Sequence, residues 1–298
     1  MTYAADSIDT LPRLPSWVTS GHAETLDDVA FLSGGALSHL YLVLTHPSVP
    51  KPLLRARLAL RAAEACVTHI GRVERARELR DALAFLQPGD NPGPSGEVYL
   101  SWRRGVERKI SIGALHRALL EVEAAQIAEW LDAPASRGTG QGGLIGRAAA
   151  VLEAVLRDRP RAISTALLLA DATLSQSLGW AELVPLVTLK FKRADFKLMG
   201  DDLRLTCHRA VSAGVVETLR EAADLTRRVA KLQDAAPKLR AKGSEDAVAL
   251  FLSQDAVAPT MLTSLQSDRG RRRFCDRLVE LGVARELTGR DTFRLYGL

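Results

Sequence analysis

The residue types that could carry the most specific chemistry in this sequence are four arginines near its end. Arg269, Arg272 and Arg273 lie within five residues of one another, and Arg290 follows Gly289. A guanidinium is planar, permanently charged and shaped for bidentate contact with phosphate oxygens and guanine edges. At about 100° per residue, a helix over 268–281 puts Phe274, Leu278 and Leu281 on one stripe. Arg269, Arg272, Arg273 and Asp276 then fall mainly on the opposite side. Such a helix turns its apolar stripe to its own domain and offers its arginines to a major groove. Arg290 falls at a hairpin tip, from which it would reach a phosphate or the minor groove. The competing reading is a charged, solvated helix end that meets no nucleic acid.

Other constellations point less sharply. Gly138, Gly140 and Gly143 fit the spacing of a dinucleotide fingerprint. That chemistry needs a strand before the glycines and a helix N-terminus after them. Here a helical pattern and Pro134 precede them, so they read as a flexible linker. The six histidines show no strong metal-ligand spacing toward one another or toward cysteine or carboxylate, so no metal is expected. Adjacent Cys207 and His208 would point in different directions on a helix. Cys66, Cys207 and Cys275 are odd in number and widely spaced, which reads as reduced thiols rather than a disulfide framework. Arg80 and Asp81, with the Pro88–Asp90 turn and Trp102-Arg103, read either as a pocket or as a buried ion-pair network. Lys190, Lys192, Arg193 and Lys197 with Phe191 and Phe196 read either as a second basic contact or as a solvated connector. No catalytic residue and no cofactor site emerges.

The elements that must position the arginines are helical. Among 298 residues, 43 are Ala and 47 are Leu, while aromatics make up 5%. Ala and Leu enter helices at little cost, whereas strands favour β-branched and aromatic residues. Apolar spacing predicts helices over 25–45, 52–70, 73–86 and 111–131, with Gly34-Gly35 bending or splitting the first. Two or three helices are expected within 144–189, one of them ending near Asp158. A long helix is expected from Asp201 to Asp234. The strongest loop signal is 88–96, rich in Pro and Gly, and a second flexible stretch covers 134–146. From Ser244 the pattern changes. A helix is followed by a short segment after Pro259. A third helix follows, with Ser267 as its N-cap and Gly282 as its stop. Two short strands, 283–287 and 292–296, flank Thr288–Asp291. That order is the order of a winged helix-turn-helix.

The net charge is +5, from 40 basic and 35 acidic residues, and 32 of the basic residues are Arg. Residues 267–298 hold eight Arg and five acids, so this tenth of the chain supplies +3. No apolar run approaches the about 20 residues that span a bilayer, and the first residues show no secretory pattern. A cytoplasmic location away from membranes is the expectation.

Several stretches resemble the bacterial family called domain of unknown function 1403. They are Leu11-Pro12-Arg13-Leu14-Pro15-Ser16-Trp17, Arg57-Leu58-Ala59-Leu60, Arg80-Asp81-Ala82, Pro88-Gly89-Asp90 with Gly93–Gly96, Trp102-Arg103, Leu178-Gly179-Trp180 and Ala236–Gly243. They run nearly end to end. The resemblance implies no activity and lends no catalytic residue. Arg285–Arg290 followed by Phe293–Tyr296 is similar to the winged-helix tails of some bacterial regulators and of some Fic proteins. The His-Pro-Phe motif of Fic adenylyl transfer is absent, because Ser48 follows His46-Pro47.

The sequence therefore predicts a mainly α protein. A multi-helix body over 1–240 has candidate joints near 88–96 and 134–146, and a small winged helix-turn-helix with a short β-hairpin covers 244–298. The expected function is binding of double-stranded DNA, as a regulator or plasmid-type accessory protein, with a homodimer as the usual habit of such modules. The alternative is a helical interaction or scaffold protein whose winged helix contacts a protein partner. An enzyme assembled from distant residues is a third class.

Overall fold

The computed structural model describes residues 11–298 except 21–22, 88, 137–142, 240 and 291. Helix makes up 67% of it. In chain order the helices are α1 (Trp17–Ser20), α2 (Leu26–Thr45), α3 (Lys51–His69), α4 (Ala76–Ala84), α5 (Gly93–Glu107), α6 (Ile112–Ala118), α7 (Ala124–Ser136), α8 (Gly143–Asp158), α9 (Ile163–Ser177), α10 (Gly200–Ala235), α11 (Ser244–Ser253) and α12 (Asp268–Glu280). Strands β1 (Arg285–Glu286) and β2 (Tyr296–Gly297) are antiparallel, with Arg285 opposite Gly297 and Glu286 opposite Tyr296. The chain divides into two compact units. One takes in Tyr41–Arg57 and Leu219–Leu298; the other takes in Leu14–Leu40 and Leu58–Thr218.

The second of these units is built around α9. Every residue of α9 from Thr165 to Ser175 is buried, so the helix is enclosed on all sides. Its polar side chains must then find partners inside. Asp171 and Ser175 find them in segment 183–189, where Pro185 disfavours a helix and leaves backbone donors unpaired. Asp171 accepts the N–H of Val187 at 2.8 Å, the N–H of Thr188 at 3.1 Å and the Thr188 hydroxyl at 2.6 Å. Ser175 accepts the N–H of Val184 at 3.0 Å. Helix α10 meets the same segment at Gly214, where a Cβ would stand 2.1 Å from the Leu186 carbonyl oxygen.

Several elements differ from expectation. The Gly34-Gly35 pair does not split its helix, which runs unbroken from Leu26 to Thr45. Gly35 instead receives the Trp17 ring, which a Cβ would approach to 2.8 Å. Thr25 and Asp28 cap α2 reciprocally: Thr25 Oγ1 accepts the Asp28 N–H and the Asp28 carboxylate accepts the Thr25 N–H, both at 3.2 Å. By length and composition α2 is also apolar enough to cross a membrane, which the sequence reading had not found. Its Val29, Ala36, Leu37 and Leu40 are buried within this unit. Within the 88–96 loop signal, Gly93–Gly96 form the first turn of α5. Pro94 suits that turn because its missing N–H would be unpaired there anyway. The helix expected over 111–131 is two helices, α6 and α7. The charged helix expected over 73–86 shortens to α4, and Arg72 is drawn aside, donating to Ser95 Oγ at 2.7 Å and to Glu74 Oε1 at 2.9 Å.

In the first unit, Leu53, Leu54, Phe251, Leu278, Leu295 and Leu298 are among the buried side chains. Arg57, 8% exposed, is buried with them. Its Nε pairs with Asp255 and its Nη1 lies 3.3 Å from Glu221 Oε1. Its Nη2 donates to the Leu298 carbonyl at 3.0 Å.

Candidate nucleic-acid interface

The C-terminal arginines stand on a helix with both ends defined by local chemistry. Ser267 has extended backbone angles and its hydroxyl accepts the Gly270 N–H at 3.1 Å, which caps α12. At the other end Gly282 adopts φ +67°. Its N–H reaches the Val279 carbonyl at 2.9 Å, and the Val283 N–H reaches Leu278 at 3.0 Å, a Schellman closure. Phe274 and Leu278 are buried, as the wheel predicts, and Cys275 is buried beside them. Leu281 is only partly buried.

Helix α12 carries five arginines with different employment. Arg271 turns back, donating to the Leu265 carbonyl at 3.2 Å and pairing with Asp268 at 3.0 Å, so it closes the turn before the helix. Arg277 pairs with Glu280. Arg269, Arg272 and Arg273 are exposed and have no ion pair among the described residues. Asp276 lies on their side one turn on, and the Tyr296 hydroxyl donates to it at 3.4 Å. The side is therefore cationic in its first half and mixed beyond it.

Behind α12, the Val257 and Tyr296 backbones exchange hydrogen bonds of 2.7 and 2.9 Å, while Tyr296 also lies opposite Glu286. Between Ser253 and Ser267 the chain forms a single 3-10 turn, Pro259–Met261. Gly243, at φ +84°, starts α11 so close to this connection that a Cβ would stand 2.3 Å from the Ser264 carbonyl oxygen. The hairpin tip is organised by Glu286, whose Oε1 accepts from Thr288 Oγ1 at 2.6 Å and from the Gly289 N–H at 2.8 Å. These donors, the Thr288 hydroxyl first, hold its carboxyl below the usual range. Arg290 is exposed just beyond, and its carbonyl accepts from Arg294 Nε at 3.0 Å. Phe293, 74% exposed, sits at φ +56°.

The other constellations take structural places. Trp102 donates its indole N–H to Cys66 Sγ at 3.3 Å, and Arg103 pairs with Glu107. Arg80 and Asp81 lie on α4, with Asp81 buried. The candidate dinucleotide glycines fall largely outside the described residues; Gly143 opens α8 at φ +63°. No group of three His, Cys, Asp or Glu among the described residues could hold a metal.

One buried pair is invisible in the sequence, because its members are 175 residues apart. His208 Nδ1 lies 2.7 Å from Ser33 Oγ. Burial pushes His208 down to about 4, so it is neutral at pH 7. Ser33 Oγ also lies 3.1 Å from the Ala30 carbonyl oxygen, and the residue is 1% exposed. A hydroxyl has one proton to give, so Ser33 donates either to Ala30 or to His208, and the histidine tautomer sets which. Both groups are buried, and the pair joins α2 to α10.

The family model described as "Protein of unknown function (DUF1403)" matches residues 2–298. The chain belongs to this family. No curated protein matches it. In this DUF1403 chain, the stretches that carried the resemblance serve the fold. Trp17 fills the space above Gly35. Arg57 joins Asp255, Glu221 and Leu298. Gly179, at φ +74°, ends α9, with the Trp180 N–H returning to Ser175 at 2.9 Å. Gly243 permits the close approach to Ser264.

Proposed function

We propose that this DUF1403 protein binds double-stranded DNA through α12, as a regulator or a plasmid-type accessory protein. The carrying observation is that Arg269, Arg272 and Arg273 share one exposed side of α12 with no acid holding them among the described residues. A guanidinium left in water with no partner is available to phosphates and base edges. The local order supports a winged-helix reading: α11, the Val257 bridge, the 3-10 turn, α12, then β1 and β2. On that reading α12 is the recognition helix, its N-terminal half carries the base contacts, and Arg290 reaches the backbone from the wing. The protein-contact reading draws on Phe293, an exposed ring at the hairpin.

The test is a titration of the full chain against mixed genomic duplex fragments at two salt concentrations, beside the variant Arg269→Ala/Arg272→Ala/Arg273→Ala. Wild type should bind, with affinity falling steeply as salt rises. The variant should stay folded and lose binding, and Arg272→Ala by itself should cost about 1–3 kcal/mol if it makes a bidentate base contact. Equal binding by the wild type and triple variant would remove α12 from the interface. No salt-sensitive binding at all would favour the protein-contact reading.

A further inference from the structure

A second cluster of cations, in the other unit, has no part in the reading above. The sequence Lys190-Phe191-Lys192-Arg193-Ala194-Asp195-Phe196-Lys197 sets four cations against one acid. Its members divide by employment. Lys190 is held by Glu217, which also takes Arg61 at 2.7 Å. Lys192, Arg193 and Lys197 are exposed and have no ion pair among the described residues. The one acid among them, Asp195, turns its Oδ2 to the Lys192 N–H at 2.7 Å and so fastens the 3-10 turn Arg193–Lys197. Of the nearby acids, Asp201 pairs with Arg204, and Glu153 pairs with Arg157 while accepting the Gly200 N–H. Asp202 stands five residues beyond Lys197.

The turn is anchored from beneath. Phe191 is buried, and its ring centroid lies 5.0 Å from that of Phe196. Phe196 meets the edge of His69 at 5.1 Å. His69 is 9% exposed and its Nε2 has no hydrogen-bond partner among the described residues. Burial holds this imidazole below its ordinary range, so at neutral pH it adds no charge. Three cations are therefore displayed on a turn whose backbone is held by two aromatic rings and the Asp195 cap, so little backbone freedom is lost on binding.

We infer that the turn from Lys192 to Lys197 is a second phosphate-contacting surface, fitted to the sugar-phosphate backbone of double-stranded nucleic acid. The identity of the polyanion rests on the nucleic-acid reading of α12; the place of the contact rests on the turn itself. A protein partner would need an apolar or aromatic anchor at the centre of the patch. Phe191 is buried and the half-buried Phe196 packs against it and His69, so the rings serve as support; of the exposed large apolar side chains among the described residues, Met199 stands within two positions of the turn in sequence. Phosphate backbones need only charge, and each phosphate neutralised contributes about 0.9 to the slope of log affinity against log salt. The contact reads no sequence, because backbone contacts position a protein without discriminating bases.

The experiment measures that slope for full-length protein on random-sequence duplex. It compares wild type, Lys192→Ala/Arg193→Ala/Lys197→Ala, the charge-keeping Lys192→Arg/Lys197→Arg, and the α12 triple variant. The turn variant should lower the slope by about 2.7 if all three cations engage. Between about 50 and about 200 mM salt it should then lose roughly 40-fold less affinity than wild type. The charge-keeping variant should match wild type. Circular dichroism checks that each variant is folded, and the three positions are exposed. An unchanged slope in the folded turn variant, with binding lost in the α12 variant, overturns this inference and leaves the α12 reading standing. Loss in the turn variant with an unaffected α12 variant does the reverse. No binding by wild type overturns both.

Discussion

Asp171 shows what one residue can impose on its surroundings. It is fully buried, yet it accepts from two backbone N–H groups and one hydroxyl. Burial pushes its pKa up to about 7 from 3.8, outweighing those three donors. A carboxyl whose folded pKa exceeds its unfolded one binds protons more tightly in the folded state between those values. Its contribution to stability is therefore full below about pH 4 and is lost as pH rises toward about 7. Wild type should show a lower urea midpoint at pH 7.5 than at pH 5 from this group. Asp171→Asn keeps the size but turns an amide N–H₂ toward a backbone donor, which costs about 1–3 kcal/mol. The difference between the two pH values should shrink in this variant; an unchanged difference would assign the pH dependence elsewhere. An Asp inside an Ala- and Leu-rich run is legible as an oddity in the sequence. Its partners are not, because Val187 and Thr188 meet it only through the turn that Pro185 forces.

At the level of elements, the sequence spoke through end signals and was silent about packing. Ser267 and Gly282 set helix ends where local chemistry acts within a few residues, and the structure places helix ends beside both. The three α12 arginines could be put on one side of a helix because α12 is regular. The Pro- and Gly-rich stretch at 93–96 misled, since the same residues that open loops also open helices. Gly214 was invisible for a related reason: a glycine inside a long helix looks like a propensity cost of about 1 kcal/mol. Its reason lies across the interface, at the Leu186 carbonyl. Gly214→Ala tests which effect wins. Propensity favours Ala by about 1 kcal/mol. Overpacking costs about 1–3 kcal/mol and occasionally more. A Cβ at 2.1 Å from a backbone oxygen cannot be relieved by turning a side chain, so α10 or segment 183–189 must move. The variant should melt lower than wild type by at least about 2–4 °C. A higher melting temperature would mean that the segment yields freely.

At the scale of the whole chain, two units are built from interleaved stretches of sequence, so stability need not be shared evenly between them. Arg57 is the test position. Its guanidinium sits among Asp255, Glu221 and the Leu298 carbonyl, which are 164 to 241 residues away in sequence yet all in the same unit. Exposed ion pairs such as Arg157–Glu153 contribute little, because water and salt screen them. A buried pair is different. Removing one partner of a buried pair takes a close counter-charge from Asp255 and Glu221, which costs about 3–5 kcal/mol. Arg57→Ala should therefore destabilise the unit that takes in Tyr41–Arg57 and Leu219–Leu298 well before the other. Hydrogen exchange should report it as lost protection in α11, α12 and the first turns of α3, with α8 and α9 still protected. Arg57→Met keeps the apolar stem and should lose nearly as much, because the cost lies in the lost charge pairing rather than in packing. Uniform loss of protection across α9 and α11 would instead mean that the units unfold as one. If the loss stays local, the arginine side of α12 depends on Arg57 for its support. On the proposed role, Arg57→Ala would then weaken duplex binding while leaving intact every arginine proposed to meet DNA.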